Sequence, residues 1–282
     1  LLSTTSRSPT RCRNTTFQWG SRTYIMGIIN ATPDSFSGDG LGGDIEAAVA
    51  QALRFVDEGA DILDIGGEST RPRHTPISAD EEIARVIPVL SAVRAVVDIP
   101  ISIDTYKSQV AAAALDAGAD MINDIWGLKR DPALARLAAQ WGVPIVLMHN
   151  QQGTEYENLL ADIIVSLHES CLTALAMGVP PEQIIIDPGI GFGKNWGQNL
   201  VILRRLHMLT TLGYPMLLGA SRKSTIGRIL GDLPPDQRVE GTAATVALGI
   251  AGGTDIVRVH DVQAMVRVAR MTDAIVRGDA SA

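Results

Sequence analysis

Four side chains in this sequence, Asp104, Asn123, Asp187 and Lys223, offer two carboxylate acceptors, an amide that both donates and accepts, and one strong cationic donor. Such a set suits the edge of a flat heterocycle that carries several N–H donors and a ring carbonyl. A second set, Asn30, Arg71, Arg258 and His260, contains cationic and neutral donors and no carboxylate. It suits phosphate oxygens, which Arg can bind bidentately. A pyrophosphate there would bring Mg²⁺, an ion that prefers oxygen ligands and retains several waters, so the Asn30 amide oxygen could be its only protein ligand. Ser35, Ser221 and Cys171 have no obvious base beside them and are not assigned as nucleophiles.

The stretch IIIDPGIGFGKN, residues 184–195, tests whether a glycine-rich turn here cradles a phosphate. A P-loop needs a glycine where Pro188 stands and Ser or Thr where Asn195 stands. The spacing of Gly189, Gly191 and Gly193 also misses the dinucleotide fingerprint. What remains is a buried strand ending in a carboxylate, Asp187, on a glycine loop.

Stepping from these residues to the elements that must hold them, short apolar runs occur at residues 24–29, 62–65, 101–103, 121–122, 145–148, 184–186, 216–218 and 256–259. Segments with helical spacing of Ala, Leu, Ile and Val lie at 44–58, 79–97, 107–117, 132–141, 157–177, 196–212, 236–252 and 262–276. Eight β/α units predict a (β/α)8 TIM barrel, an α/β fold, as a single domain over residues 17–282. Gly59-Ala60-Asp61, Gly118-Ala119-Asp120 and Gly253-Thr254-Asp255 fall where a helix stops and a strand starts, as left-handed glycine caps would. A barrel keeps its active site at the C-terminal strand ends. Those ends carry Asn30, residues 68–71, Asp104, Asn123, Asp124, His149, Asn150, Asp187, residues 221–223, Arg258 and His260, whereas the opposite face reads as short connectors.

Composition narrows the classes further. The 282 residues are 46% hydrophobic and only 4% aromatic, with a formal net charge of −7. The acidity argues against a duplex nucleic acid partner. Cys12 and Cys171 are isolated, which excludes a C-x-x-C zinc site or a disulfide framework. No apolar run approaches the roughly 20 residues of a membrane span, so the reading is a soluble, cytoplasmic protein. Residues 1–16, with Arg7, Arg11 and Arg13, many hydroxyls and no acid, have a faint transit-peptide character and are expected to be a disordered tail.

The ordered motifs MGIINATPDSFSGDG (26–40), GADILDIGGESTRP (59–72), SIDTYK (102–107), INDIWG (122–127), DPGIGFGKN (187–195), GASRKSTIG (219–227) and RVHDV (258–262) together resemble the dihydropteroate synthase family over about residues 17–278. The resemblance implies condensation of 6-hydroxymethyl-7,8-dihydropterin pyrophosphate with p-aminobenzoate by an SN1-like path. It implies Mg²⁺ as cofactor and a homodimer as assembly. By the same resemblance Asp104, Asn123, Met148, Asp187, Phe192, Gly219 and Lys223 hold the pterin. Asn30, Thr70, Arg71, Arg258 and His260 hold the pyrophosphate, with Asn30 on the metal. Phe36, Thr70, Pro72, Lys223 and Ser224 surround p-aminobenzoate, the last at the start of a helix opening near residues 222–225. Lys223, Arg71, Asp104, Asp187 and Asp39 are the implied catalytic set. The loops at 31–43 and 66–78, rich in Gly, Pro, Ser and Thr, are expected to cover the substrates and exclude water from the cation.

The chain departs from the family pattern in two loops. Gly38 stands where many members have an acid, so Asp39, shifted by one residue, and Asp34 compete as candidates for that charge, and Arg73 replaces a usual glycine. His149 is left unassigned because residues 148–156 match loosely. A pterin-binding methyltransferase barrel would share the ring-reading residues, but not the S-R-K-S and R-V-H anion sites. A binding-only protein that kept the fold is the other alternative. The last helices, with their Val, Ala and Met, offer a dimer interface or simply the face that meets the barrel.

Overall fold

In the computed structural model, which describes residues 7–31, 41–68 and 75–278, the Ile- and Val-rich runs form strands. Two short strands, β1 (Thr10–Cys12) and β2 (Thr15–Phe17), come first and pair antiparallel. The barrel strands are β3 (Tyr24–Asn30), β4 (Ile62–Gly66), β5 (Ile101–Asp104), β6 (Met121–Asp124), β7 (Ile145–Met148), β8 (Ile184–Asp187), β9 (Leu217–Leu218) and β10 (Ile256–Val259). They pair in parallel in the order β8-β7-β6-β5-β4-β3-β10-β9. A bridge between Ile186 and Met216, with the Ile186 N–H donating to the Pro215 carbonyl, joins β8 to the start of β9. The ring so closed is the expected TIM barrel.

Around it run α1 (Leu41–Glu58), α2 (Ala79–Arg94), α3 (Ser108–Asp116), α4 (Ala133–Trp141), α5 (Leu159–Ala176), α6 (Trp196–Arg204), α7 (Ser224–Ile229), α8 (Val239–Ala251) and α9 (Val262–Val276). Gly59, Gly118 and Gly253 have φ of +100°, +104° and +98°, the left-handed region in which a Cβ is strained. Two expected helices are broken. Residues 196–212 split into α6 and a 3₁₀ segment (Leu206–Leu212), because the buried pair Leu206 and Leu209 at i, i+3 suits either helix type. Residues 236–252 begin in a 3₁₀ turn (Pro235–Gln237) before α8. By length and composition α5 would suffice to cross a membrane, with a mean hydropathy of 1.5 over 18 residues. Here its Ile163, Leu167, Cys171 and Ala174 are buried against the barrel.

Strand alternation sorts side chains into two cores. Ile25, Leu63, Ile103, Ile122, Leu147, Ile186 and Val257 point outward beneath the helices. Tyr24, Met26, Ile62, Met121, Val146, Ile185, Leu217 and Ile256 point inward and fill the lower half of the barrel. Two residues further along, the inward position turns polar on four of these strands, at Asp64, Asn123, Asp187 and Arg258. This parity is what brings the site together.

The tail expected over residues 1–16 requires correction for its described part. Residues 10–17 form the β1–β2 hairpin, whose Cys12 and Phe17 join the lower core. Phe17 stacks near Trp19 at 5.5 Å and meets the Tyr24 ring edge-on at 4.8 Å. Arg7 grips buried Asp255 through two hydrogen bonds of 2.6 and 2.7 Å. Composition misled because the few apolar residues here complete a core that the barrel strands supply.

Candidate functional site

In phase with the lower core stand Asp64 above Ile62, Asn123 above Met121, Met148 above Val146, Asp187 above Ile185, Gly219 above Leu217 and Arg258 above Ile256. Register aligns Asp104 with Asn123 and Met148 with Asp187 on neighbouring strands. Five of the expected pterin residues, Asp104, Asn123, Met148, Asp187 and Gly219, thus form one buried upper layer, and Phe192 and Lys223 approach it from loops.

Asp187 accepts a 2.7 Å hydrogen bond from the Gly189 N–H. Burial raises its pKa above the usual carboxylate range, opposed by the Lys223 ammonium. Asp104 is raised by burial as well, with Arg258 pulling the other way. Its Oδ1 and the Oδ1 of Asp64 are buried with no partner among the described residues, so two acceptors stand unsatisfied there. A polar ligand with N–H donors would satisfy them. Lys223 donates to the Ile190 carbonyl and lies 4.4 Å from the centre of the Phe192 ring. Burial pushes its ammonium down to about 8.

The glycine loop serves this layer and not an anion. Its lysine, Lys194, is buried and donates to the carbonyls of Phe192 (2.8 Å), Gly189 (3.0 Å) and His149 (3.3 Å), and approaches His149 Nδ1 at 2.8 Å. Burial holds the His149 imidazole down at about 3, so it stays neutral and can accept. Gly189 has φ +70°, and a side chain there would stand 2.0 Å from the His149 carbonyl. The loop is therefore pressed against the end of β7, with Tyr156 donating to the Gly193 carbonyl at 2.7 Å.

Arg258, expected among the phosphate ligands, lies one layer deeper than His260. Its Nε donates to Asp64 at 2.5 Å and its Nη2 to Asp104 at 2.8 Å, while Asn123 donates to the same Asp64 oxygen at 3.2 Å. The guanidinium thus stands among the groups expected to read the ring. Asp64 was missed because only strand ends were read for chemistry, although a lone acid between Leu63 and Ile65 at an inward position was a signal. His260 Nδ1 is 3.0 Å from Ser221 Oγ, and burial with nearby Arg258 and Arg222 lowers its pKa to about 4. Asn30 ends β3 with an exposed side chain, and Ser224 is the exposed first residue of α7. Phe36, Asp39, Thr70, Arg71 and Pro72, with the loop acid Asp34 and Arg73, lie outside the described residues.

A carboxylate-rich cluster flanks the site. Lys107 donates to Glu68 (2.6 Å), Glu82 (2.6 Å) and the Ile77 carbonyl (2.8 Å), and Tyr106 donates to Glu68 at 2.9 Å. These bonds tie the end of β4 to the first turn of α2. Among the described residues no group of three or more His, Cys, Asp or Glu could hold a metal by itself.

Comparison with known proteins agrees with this geometry. The family model of the pterin binding enzyme matches residues 26–260. The chain is 53% identical over 262 residues to the dihydropteroate synthase of Clostridium beijerinckii, covering 93% of this chain and 97% of that protein. Among solved structures, the dihydropteroate synthase of Clostridium difficile in the presence of pteroic acid superposes with a TM-score of 0.90 at 51% identity, covering 93% of this chain and 99% of that one. The Xanthomonas albilineans dihydropteroate synthase with 4-aminobenzoic acid gives 0.89 at 41% identity, over 95% and 98% of the two chains. With the match running from β3 to the end of β10, and relatives this alike along nearly their whole lengths, the chain belongs to the pterin-binding enzyme family.

Proposed function

We infer that the chain is a transferase that condenses 6-hydroxymethyl-7,8-dihydropterin pyrophosphate with p-aminobenzoate, giving 7,8-dihydropteroate and pyrophosphate. The observation that carries this reading is the upper layer itself: Asp104 Oδ1 and Asp64 Oδ1 stand buried without a partner among the described residues, beside Asn123, Asp187 and Lys223. A pterin edge supplies the missing donors. Phe192, beside Lys223, gives the ring an apolar face.

The bond that breaks is the pterin CH₂–O bond, and its electron pair leaves with pyrophosphate. The cation left behind is delocalised into the electron-rich dihydropterin, so no covalent enzyme intermediate is needed. The nitrogen lone pair of p-aminobenzoate attacks the CH₂ carbon and then sheds a proton. Asp187 and Asp104 orient the ring, and their negative charge favours the cation. His260 sits at the mouth above Arg258, where the pyrophosphate would rest. Asn30 offers an amide oxygen there with no carboxylate cage among the described residues, a donor set that fits Mg²⁺ held mainly by pyrophosphate oxygens and water. The ion would neutralise charge on the leaving group. Ser224, exposed at the start of α7, is suited to the p-aminobenzoate carboxylate.

Both described cysteines are free thiols, which suits a reducing, cytoplasmic compartment. A homodimer is part of the proposal. The apolar stripe of α9 is mostly spent on the barrel through Val262, Met265, Val266 and Ala269, yet Met271 and Ile275 remain 64% and 69% exposed, and Leu248 of the adjoining helix α8 is 66% exposed. Light scattering on the wild type and on Leu248→Glu tests that assembly. The activity is tested by incubating the purified chain with both substrates and Mg²⁺ and separating products by chromatography. Dihydropteroate is expected from the wild type, and from Asp187→Asn at least about 100-fold less. A pterin complex that never turns over would support the methyltransferase or binding-only alternative.

A further inference from the structure

The lysine of the glycine loop takes no part in the chemistry above, yet its ammonium is buried and fully engaged. Its acceptors bracket the loop. The His149 carbonyl and ring lie at the end of β7, the Gly189 carbonyl follows Asp187, and the Phe192 carbonyl lies at the far side of the turn. Between the last two, the Ile190 carbonyl accepts from Lys223, and the Phe192 ring flanks the same ammonium. The Gly191 N–H donates to Asn199, which in turn donates to Thr225 of α7, so the loop reaches Lys223 from two directions.

We propose that Lys194 is a positioning residue for the ring subsite: by gathering the carbonyls of His149, Gly189 and Phe192 it sets the loop that aims Lys223 and Phe192 at the pterin. This rests on the synthase reading. A lysine suits the task because one ammonium, lowered to about 7 by burial with Lys223 and Lys129 nearby and Asp187 opposing, supplies three N–H donors below that pH to carbonyls that converge from separate segments. An apolar residue there would leave the carbonyls buried without donors, and the loop would open to find water. Water would then reach Lys223, whose ammonium is weakened by burial and by Arg258 and strengthened by Asp187 and Asp104.

The test compares Lys194→Met and Lys194→Gln with Lys129→Met, which removes a nearby cation and its bond to the Asn150 carbonyl while leaving the hydrogen bonds of the glycine loop in place. Steady-state kinetics are measured from pH 6 to 10 on the full chain with Mg²⁺, with near-ultraviolet circular dichroism as the check on folding. The expected result is a rise of about tenfold in KM for the pterin pyrophosphate in both Lys194 variants. KM for p-aminobenzoate should change less than threefold, and the alkaline limb of kcat/KM should move up by at least half a pH unit as Lys223 is rehydrated. Lys129→Met is expected to match the wild type. An unmoved alkaline limb with equal losses for both substrates would overturn the proposal, as would loss of the native fold in both variants, which would assign Lys194 to stability alone. An inactive wild type would instead sink the synthase reading.

Discussion

The Arg258 guanidinium donates through Nε to Asp64 Oδ2 at 2.5 Å, and this pair sits in the middle of the barrel, where Asn123 shares the same oxygen. One strand-interior acid therefore orients two side chains that face the ligand. In Asp64→Asn the guanidinium keeps only Asp104, and a buried cation loses half its compensation. Unfolding free energy should fall by up to about 3–5 kcal/mol, and KM for the pterin substrate should rise more than KM for p-aminobenzoate. Denaturant titration and kinetics on the same preparation check both; unchanged pterin KM would remove Asp64 from the site.

The pH profile follows from the directions of the shifts. Asp187 and Asp104 are raised, so as pH falls they take up protons and cease to accept from the ring at a pH above the ordinary value of 3.8. Lys223 is lowered to about 8, so its cation is lost as pH rises through that value and not near 10.5. The plot of kcat/KM against pH is expected to be bell-shaped, with its alkaline limb near 8. In Lys223→Arg that limb should vanish below pH 10, whatever activity survives. An alkaline limb that persists unchanged in this variant would assign it to another group.

Lys107 holds two carboxylates and a carbonyl on both flanks of residues 69–76. Lys107→Met strands Glu82, which is 1% exposed and already raised in pKa by burial. A loss of about 3–5 kcal/mol is expected. Adding Glu82→Gln should return part of it, since the pair couples by roughly 0.5–3 kcal/mol when its members touch. Strict additivity in the double-mutant cycle would show that the two do not share an interaction.

At the opposite face, Phe17 is fully buried and bridges the hairpin to the lower core. Phe17→Ala is expected to cost about 3–5 kcal/mol, a fall in Tm on the order of 10 °C. At 25 °C, kcat should match the wild type, because the lower core separates the hairpin from the substrate layer. A selective loss of kcat would mean the two ends of the barrel communicate.

How much of this could be read from the sequence depends on what each residue's neighbours say. Asp187 was legible because three isoleucines before it and a glycine turn after it mark a strand end. The eight strands were legible for the same reason. Asp64 was not, because its role needs the inward parity of β4 and a cation arriving from β10, nearly 200 residues away. The hairpin at 10–17 was hidden because its polar composition conceals two apolar side chains, Cys12 and Phe17, that matter only against a barrel floor. Lys194 carries no role in the sequence once the phosphate-loop reading of residues 184–195 fails, and only the folded loop reveals the carbonyls it serves.

The most direct measurement labels the oxygen that bridges the pterin methylene to pyrophosphate with ¹⁸O and follows both products with Mg²⁺, with and without p-aminobenzoate. The expected result is one pyrophosphate per dihydropteroate, with the label in the pyrophosphate, and release that depends on p-aminobenzoate. Release without dihydropteroate, or pterin binding with no release at all, would contradict it.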